Sequence, residues 1–231
     1  MEFGKGDRYR RQGWMERAAQ PFRGPLTGSP LRAPLKRMYE AVLDIGANLG
    51  GYTVLLAQWV GANGRVHAFE PAPGAREGLC RHVLLNGVDE RVAVHSQAVS
   101  AASGVARFRA VGLQGDNRLM PDTTEPAIEV GTTSIDEFCG AHGIQPGFIK
   151  VDVEGAELDV LKGGRATIAS AGDALQLYVE MHPHLWSAFG YSRADLQAEL
   201  DVQRLRAERL DGQPDLWSLA GVCLRLRRCV S

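Results

Sequence analysis

Carboxylates and one histidine stand at or near the ends of short apolar runs in this sequence, where strands would deliver them to a common rim. Asp44 lies in the run Ala41–Ile45, Glu70 closes Arg65–Glu70, Asp152 ends Gly147–Asp152 with Glu154 beyond it, and Glu180 closes Ala174–Glu180 with His182 next but one. The first run passes into the turn Gly46-Ala47-Asn48-Leu49-Gly50-Gly51 and a helix that opens with Tyr52 and Thr53. A strand, a tight turn and a helix N-terminus aim backbone N–H groups and the positive end of a helix dipole at one spot, which suits a carboxylate or a phosphate. The spacing is not G-x-G-x-x-G. Asn48 occupies the place of the second glycine, where a side chain crowds a pyrophosphate. Asp44 would repel a pyrophosphate but attract an ammonium, directly or through water. Glu70 stands about 20 residues beyond the turn, where nucleotide-binding α/β folds put the acid that grips a ribose. An ammonium, a carboxylate, a ribose and no phosphate describe S-adenosylmethionine.

The pairs at the later ends carry other chemistry. Asp152 and Glu154, a D-x-E followed by Gly155, can serve as a base, as oxygen ligands for Mg2+, or as an anchor for substrate hydroxyls. Glu180 and His182 form E-x-H, and strand alternation puts both on one face. A carboxylate beside an imidazole orients the ring and favours its charged form. His182 is therefore the first choice for a general base, with substrate binding and a purely structural place as alternatives. Lys150 falls inside its strand, expected in an ion pair with Asp152 or Glu180 or in support of the acceptor. Glu157 sits in a first helical turn, where it favours the helix dipole. After Pro183 the chain turns, placing His184, Trp186 and Phe189 around an acceptor pocket.

Strands and helices alternate to position these groups. The pattern predicts strands at Ala41–Ile45, Arg65–Glu70, Arg91–Ser96, Gly147–Asp152, Ala174–Glu180, Leu205–Leu210 and Val222–Leu226. Helices fill Gly50–Val60, Pro73–Asn86, Ser134–Ala141, Ala156–Leu161 (interrupted by Gly163-Gly164) and Ser192–Gln203. Val105–Ala110 and Ile128–Gly131 read as a short β excursion around the loop Gly112–Glu125. Repeated βα units imply a mostly parallel sheet with helices on both faces and the site beyond the carboxyl ends of its strands.

In order along residues 41–185, VLDIGANLGGYT, VHAFEP, HSQAVS, TSIDEF, FIKVDVEGAELDVLKGG and YVEMHP resemble the FkbM family of S-adenosylmethionine-dependent methyltransferases. The segment IKVDVEGAE is the most specific of these. The resemblance implies a Rossmann-like class I methyltransferase fold with a seven-stranded sheet, and methyl transfer to a hydroxyl of a small molecule, sugar or natural product. It assigns Asp44, Gly46, Asn48, Gly50, Tyr52, Thr53, Glu70, Gln97, Ala98 and Asp152 to the cofactor. Gln97 would meet the adenine edge, or be an ordinary polar loop residue, and Ala98 leaves room for the ring. Asp152, Glu180 and His182 fall to catalysis, and Glu154, His184 and Trp186 to the acceptor. Mg2+ on Asp152 and Glu154 is a variant of this reading. A nucleotide-dependent oxidoreductase and a non-catalytic S-adenosylmethionine-binding relative are the alternatives.

Size and charge set the frame. The chain has 231 residues, enough for one α/β domain, expected over 41–231 after an arm and a Pro/Gly linker in 1–40. That arm carries nine Lys/Arg against four Asp/Glu, and the remainder seventeen against twenty-three. A basic arm can be a solvated tail, touch an anionic partner, or cover the cleft with its aromatics. An acidic domain makes nucleic acid a poor acceptor. No apolar run approaches a membrane span. Four cysteines (Cys80, Cys139, Cys223 and Cys229) without C-x-x-C spacing fit reduced thiols in the cytoplasm.

Overall fold

Residues 39–61, 63–111, 117–121, 125–210 and 222–229 are described by the structure, a computed structural model. The arm and linker lie outside the described residues except for Tyr39 and Glu40. Most of the loop Gly112–Glu125 does too.

The chain runs through β1 (Ala41–Ile45), α1 (Gly51–Trp59), β2 (Arg65–Phe69), α2 (Pro73–Leu85), β3 (Val92–His95), β4 (Ala98–Val99), β5 (Gly104–Arg109), β6 (Arg118–Leu119), β7 (Ile128–Thr133) and α3 (Ile135–His142). It continues through β8 (Phe148–Val151), α4 (Glu157–Lys162), α5 (Arg165–Ala171), β9 (Gln176–Met181), α6 (Arg193–Val202), β10 (Leu205–Arg209) and β11 (Val222–Arg228). The main sheet has seven strands in the order β10-β11-β9-β8-β1-β2-β3. β11 runs antiparallel to both neighbours, while the pairs from β9 through β8, β1 and β2 to β3 are parallel. β1 lies between β2 and β8, so the chain leaves it first to one side and later to the other. Such a reversal opens a crevice at the carboxyl ends of the strands.

Apolar composition explains why β1 and β8 are central. All five residues of β1 and all four of β8 are buried. Alternation then divides the core between two faces. Leu43 and Ile45 join the cluster under α3 to α6, and Val42 joins the one under α1 and α2. Two helices begin on capping boxes, Ser134 with Glu137 and Ser192 with Asp195, each box satisfying exposed donors of the first turn. The expected β excursion is larger than two strands. It is a second sheet, β4-β7-β5-β6, which buries Ala98, Phe108, Leu119 and Val130 against Ala72, Ala75 and Ala156.

Histidines make one edge of the core sensitive to acid. His67 is buried, its Nδ1 lies 3.2 Å from His95 Nε2, and its ring stacks on that of His95. Burial, then the neighbouring His95 and His142, lowers the His67 pKa to about 4. The folded state thus holds His67 neutral, while the unfolded chain binds a proton near pH 6.5. Its contribution is complete above that pH and is lost as pH falls toward 4. Between pH 7 and 4.5, His67 should account for about 2–3 kcal/mol of lost stability. Urea unfolding at both pH values checks this. A His67→Phe protein that loses as much stability as the parent would rule the assignment out.

Candidate active site

The turn after β1 is built from glycine at the point where the chains touch. Gly46 has φ of 78°, and a Cβ there would stand 1.7 Å from the carbonyl oxygen of Asp152. The turn after β1 and the turn after β8 are thus in backbone contact. The leading amides of the first turn are already engaged. Gly46 and Ala47 N–H both donate to the Phe69 carbonyl, at 3.1 and 2.9 Å, and Asn48 N–H donates to Glu70 Oε2 at 2.8 Å. This differs from the expectation that the turn holds out its N–H groups. The difference favours a ligand without phosphate, because a pyrophosphate would need those donors.

Glu70 is 4% exposed and accepts from Asn48 N–H and, through Oε1, from Ala72 N–H at 2.8 Å. Burial raises its carboxyl pKa, against the pull of these two hydrogen bonds. Around it opens a cleft of about 630 Å3, partly continuous with solvent. Of the residues expected at the cofactor, Gly46, Asn48, Glu70, Gln97, Ala98 and Asp152 line this cleft. Phe108, Asn117 and Leu119 of the second sheet region close its far side, a wall that no periodic pattern announced. Gly50, with φ of 85°, packs on Leu79 beneath the turn.

Three assigned residues serve this cleft from behind it. Asp44 is wholly buried. Its Oδ2 accepts from Thr53 Oγ1 at 2.6 Å, and its Oδ1 lies 3.7 Å from Lys150 Nζ. Thr53 is thereby committed to Asp44. Lys150 also reaches Asp152 Oδ2 at 3.2 Å and stands 4.8 Å from the centre of the Tyr52 ring. Burial opposes the charge on Lys150, but Asp44 and Asp152 outweigh it and hold the ammonium protonated. Of the two partners expected for Lys150, Asp152 is the one found, with Asp44 in place of Glu180.

The second group of residues lies at the ends of β8 and β9. The chain leaves β8 through Glu154 and Gly155, both with positive φ (53° and 107°). Gly155 is required there, since a Cβ would meet Phe189 at 2.8 Å and Leu185 at 2.9 Å. His182 is 6% exposed. Its Nδ1 donates to Glu157 Oε1 at 2.8 Å, and its Nε2 faces Glu154 at 3.5 Å, Glu180 at 3.9 Å and Asp152 at 4.0 Å. Burial opposes a charge on this ring, but the hydrogen bond to Glu157 and the surrounding carboxylates raise its pKa to about 9. His182 is therefore charged at neutral pH, not a resting neutral base. Burial, then the nearby Asp152, pushes the Glu180 carboxyl up.

Glu157 replaces Glu180 as the residue that orients His182. It is fully buried and accepts three bonds: from His182, from Trp186 Nε1 at 2.7 Å and from Gly155 N–H at 2.9 Å. A surface role at a helix dipole is thus corrected to a buried anchor. Trp186 is corrected as well. It is 3% exposed and belongs to the core, its indole N–H spent on Glu157, so it does not wall an open pocket. His184 is exposed, its ring 6.1 Å from that of His182.

A family model described as the methyltransferase FkbM domain matches residues 44–206. The chain belongs to the FkbM methyltransferase family. FkbM membership leaves the oxidoreductase alternative without support. Among relatives, the hexuronic acid methyltransferase AglP of Haloferax volcanii is 27% identical over 146 residues, covering 62% of this chain and 56% of that protein. The 2-O-methyltransferase NoeI of Sinorhizobium fredii is 28% identical over 152 residues, covering 58% and 61%. The chain therefore spans less than two thirds of the length of either. A crystal structure of an FkbM methyltransferase from Methylobacillus flagellatus superposes with a TM-score of 0.52 at 22% identity, covering 81% of this chain and 43% of that one. The fold is that of the class I S-adenosylmethionine-dependent methyltransferases. No helix among the described residues is long and apolar enough to cross a membrane.

Proposed function

We propose that this FkbM chain transfers the methyl group of S-adenosylmethionine to a hydroxyl oxygen of a small molecule, sugar or natural product. The observation that carries the reading is Asp152, which lines the cofactor cleft and faces the imidazole of His182. A group able to handle a proton thus stands beside the place of the methyl donor. The names of two relatives, a 2-O-methyltransferase and a hexuronic acid methyltransferase, point to sugar hydroxyls as the first acceptors to try.

The hydroxyl oxygen attacks the methyl carbon, the C–O bond forms, the C–S bond breaks and sulfur keeps the electron pair. The hydroxyl proton must leave. Because His182 reaches the site charged, the proton is drawn off by the cluster of Asp152, Glu180 and His182 as a unit. Alignment of oxygen, carbon and sulfur lowers the barrier by about 7–11 kcal/mol in favourable cases, and assisted proton removal adds about 10²–10⁴-fold. Glu154 and His184, at the mouth, are assigned to the acceptor.

His182→Ala is expected to lower turnover on the order of 100-fold or more while leaving S-adenosylhomocysteine affinity within a few-fold. Calorimetry with steady-state assays separates the two. Weakened cofactor binding with unchanged turnover would overturn the assignment. Mg2+ on Asp152 and Glu154 draws no support from the relatives. Nucleic acid remains a poor acceptor on charge. The cysteines, unpaired among the described residues, fit a cytoplasmic setting.

A further inference from the structure

The cluster at the ends of β8 and β9 has a geometry that proton handling alone does not require. His182 Nε2 points at oxygens of Glu154, Glu180 and Asp152 from 3.5, 3.9 and 4.0 Å. These gaps are too long for good hydrogen bonds, which fall near 2.7–3.2 Å. They match the separation of atoms that share one divalent ion, which stand about 3–4 Å apart when each bond is near 2.1 Å. Asp152, Glu180 and His182 each bring one such atom within 4.8 Å of the others.

Two of these groups are also fixed from behind. Glu157 holds His182 at Nδ1, which leaves Nε2 directed into the cluster from a side chain only 7% exposed. Lys150 holds Asp152 at Oδ2, which leaves Oδ1 turned toward His182. A carboxylate behind a ligating histidine is the usual outer partner of a metal site. Charge argues the same way. Asp44 and Asp152 face Lys150, and Asp152, Glu154, Glu157 and Glu180 face His182. One ammonium and one imidazolium do not balance five carboxylates in a partly buried site.

We propose that Asp152, Glu180 and His182 bind one divalent cation beside the cofactor cleft. The ion displaces the Nε2 proton that His182 carries without it, since a ligating imidazole is neutral; imidazole nitrogen with carboxylate oxygen favours an ion of the Mn2+ or Zn2+ kind over Mg2+. This differs from a site on Asp152 and Glu154 in both its ligands and its preferred metal. That the ion presents and acidifies the acceptor hydroxyl rests on the methyl-transfer reading; that the ion binds does not.

The test uses the full chain, freed of metal with EDTA and titrated with MnCl2 while electron paramagnetic resonance follows free Mn2+. One bound Mn2+ per chain is expected, with affinity at least tenfold weaker in Asp152→Asn and in Glu180→Gln and unchanged in the surface variant Glu77→Gln. Asp152 and Glu180 side chains are 27% and 34% exposed and the replacements isosteric, so folding should survive and circular dichroism checks it. Absence of bound Mn2+ from folded protein, or equal binding by parent and both variants, would defeat the proposal. A parallel S-adenosylhomocysteine titration keeps the two readings apart. Cofactor binding without Mn2+ removes the ion alone, and Mn2+ binding without cofactor supports the ion while removing methyl transfer.

Discussion

Glu157→Ala should be the most destabilising single change near the site, lowering folding stability by about 3–5 kcal/mol. The carboxylate is fully buried and takes hydrogen bonds from an imidazole, an indole and a backbone amide. Alanine strands all three donors and leaves a cavity where water has little access. Glu157→Gln keeps the volume but presents an N–H2 group to donors, so it should fall between the two. Losing the buried charge also removes the main support for a proton on His182, and the pH profile of turnover should shift to lower values. Urea unfolding measures the first effect. A loss below about 1 kcal/mol for Glu157→Ala would show that the three bonds do not anchor the site.

Glu70→Ala should abolish measurable cofactor affinity, or lower it on the order of 100-fold or more, which corresponds to about 2.7 kcal/mol. Glu70 fixes the Asn48 and Ala72 amides and lines the cleft itself, so its removal both loosens the turn and takes away the group assigned to the ribose. Calorimetry with S-adenosylhomocysteine reads the effect directly. Binding within threefold of the parent, in a variant with an intact circular dichroism spectrum, would place the sugar elsewhere.

Much of this was legible because the strands announce themselves. β1 and β8 are short apolar runs broken only by Asp44 and Lys150, and the burial of their apolar positions follows from composition. Acids at the ends of such runs converge whatever the loops do, which is why Glu70, Asp152, Glu180 and His182 were found together. The roles behind the rim were not legible. Whether Asp44 meets a ligand or a lysine depends on the register of β1 against β8, where Asp44 stands opposite Lys150. Glu157 pairs with a histidine 25 residues away across two elements, and a helix-start glutamate looks the same in sequence whether it is buried or solvated. Trp186 carried a faint sign: a buried indole needs an acceptor for its N–H. Two strands of the second sheet escaped, because β4 and β6 have two residues each, too few to show a period.

The engaged amides of the first turn have a consequence for discrimination. A site can turn away an abundant competitor by steric blockade, by repulsion, or by having spent its hydrogen-bonding capacity before the competitor arrives. Gly46, Ala47 and Asn48 follow the third course, their N–H groups donating to the Phe69 carbonyl and the Glu70 carboxylate. A phosphorylated nucleotide entering this turn would shed its hydration and find these three donors already spent. Selectivity of that kind is set during folding and requires no moving part.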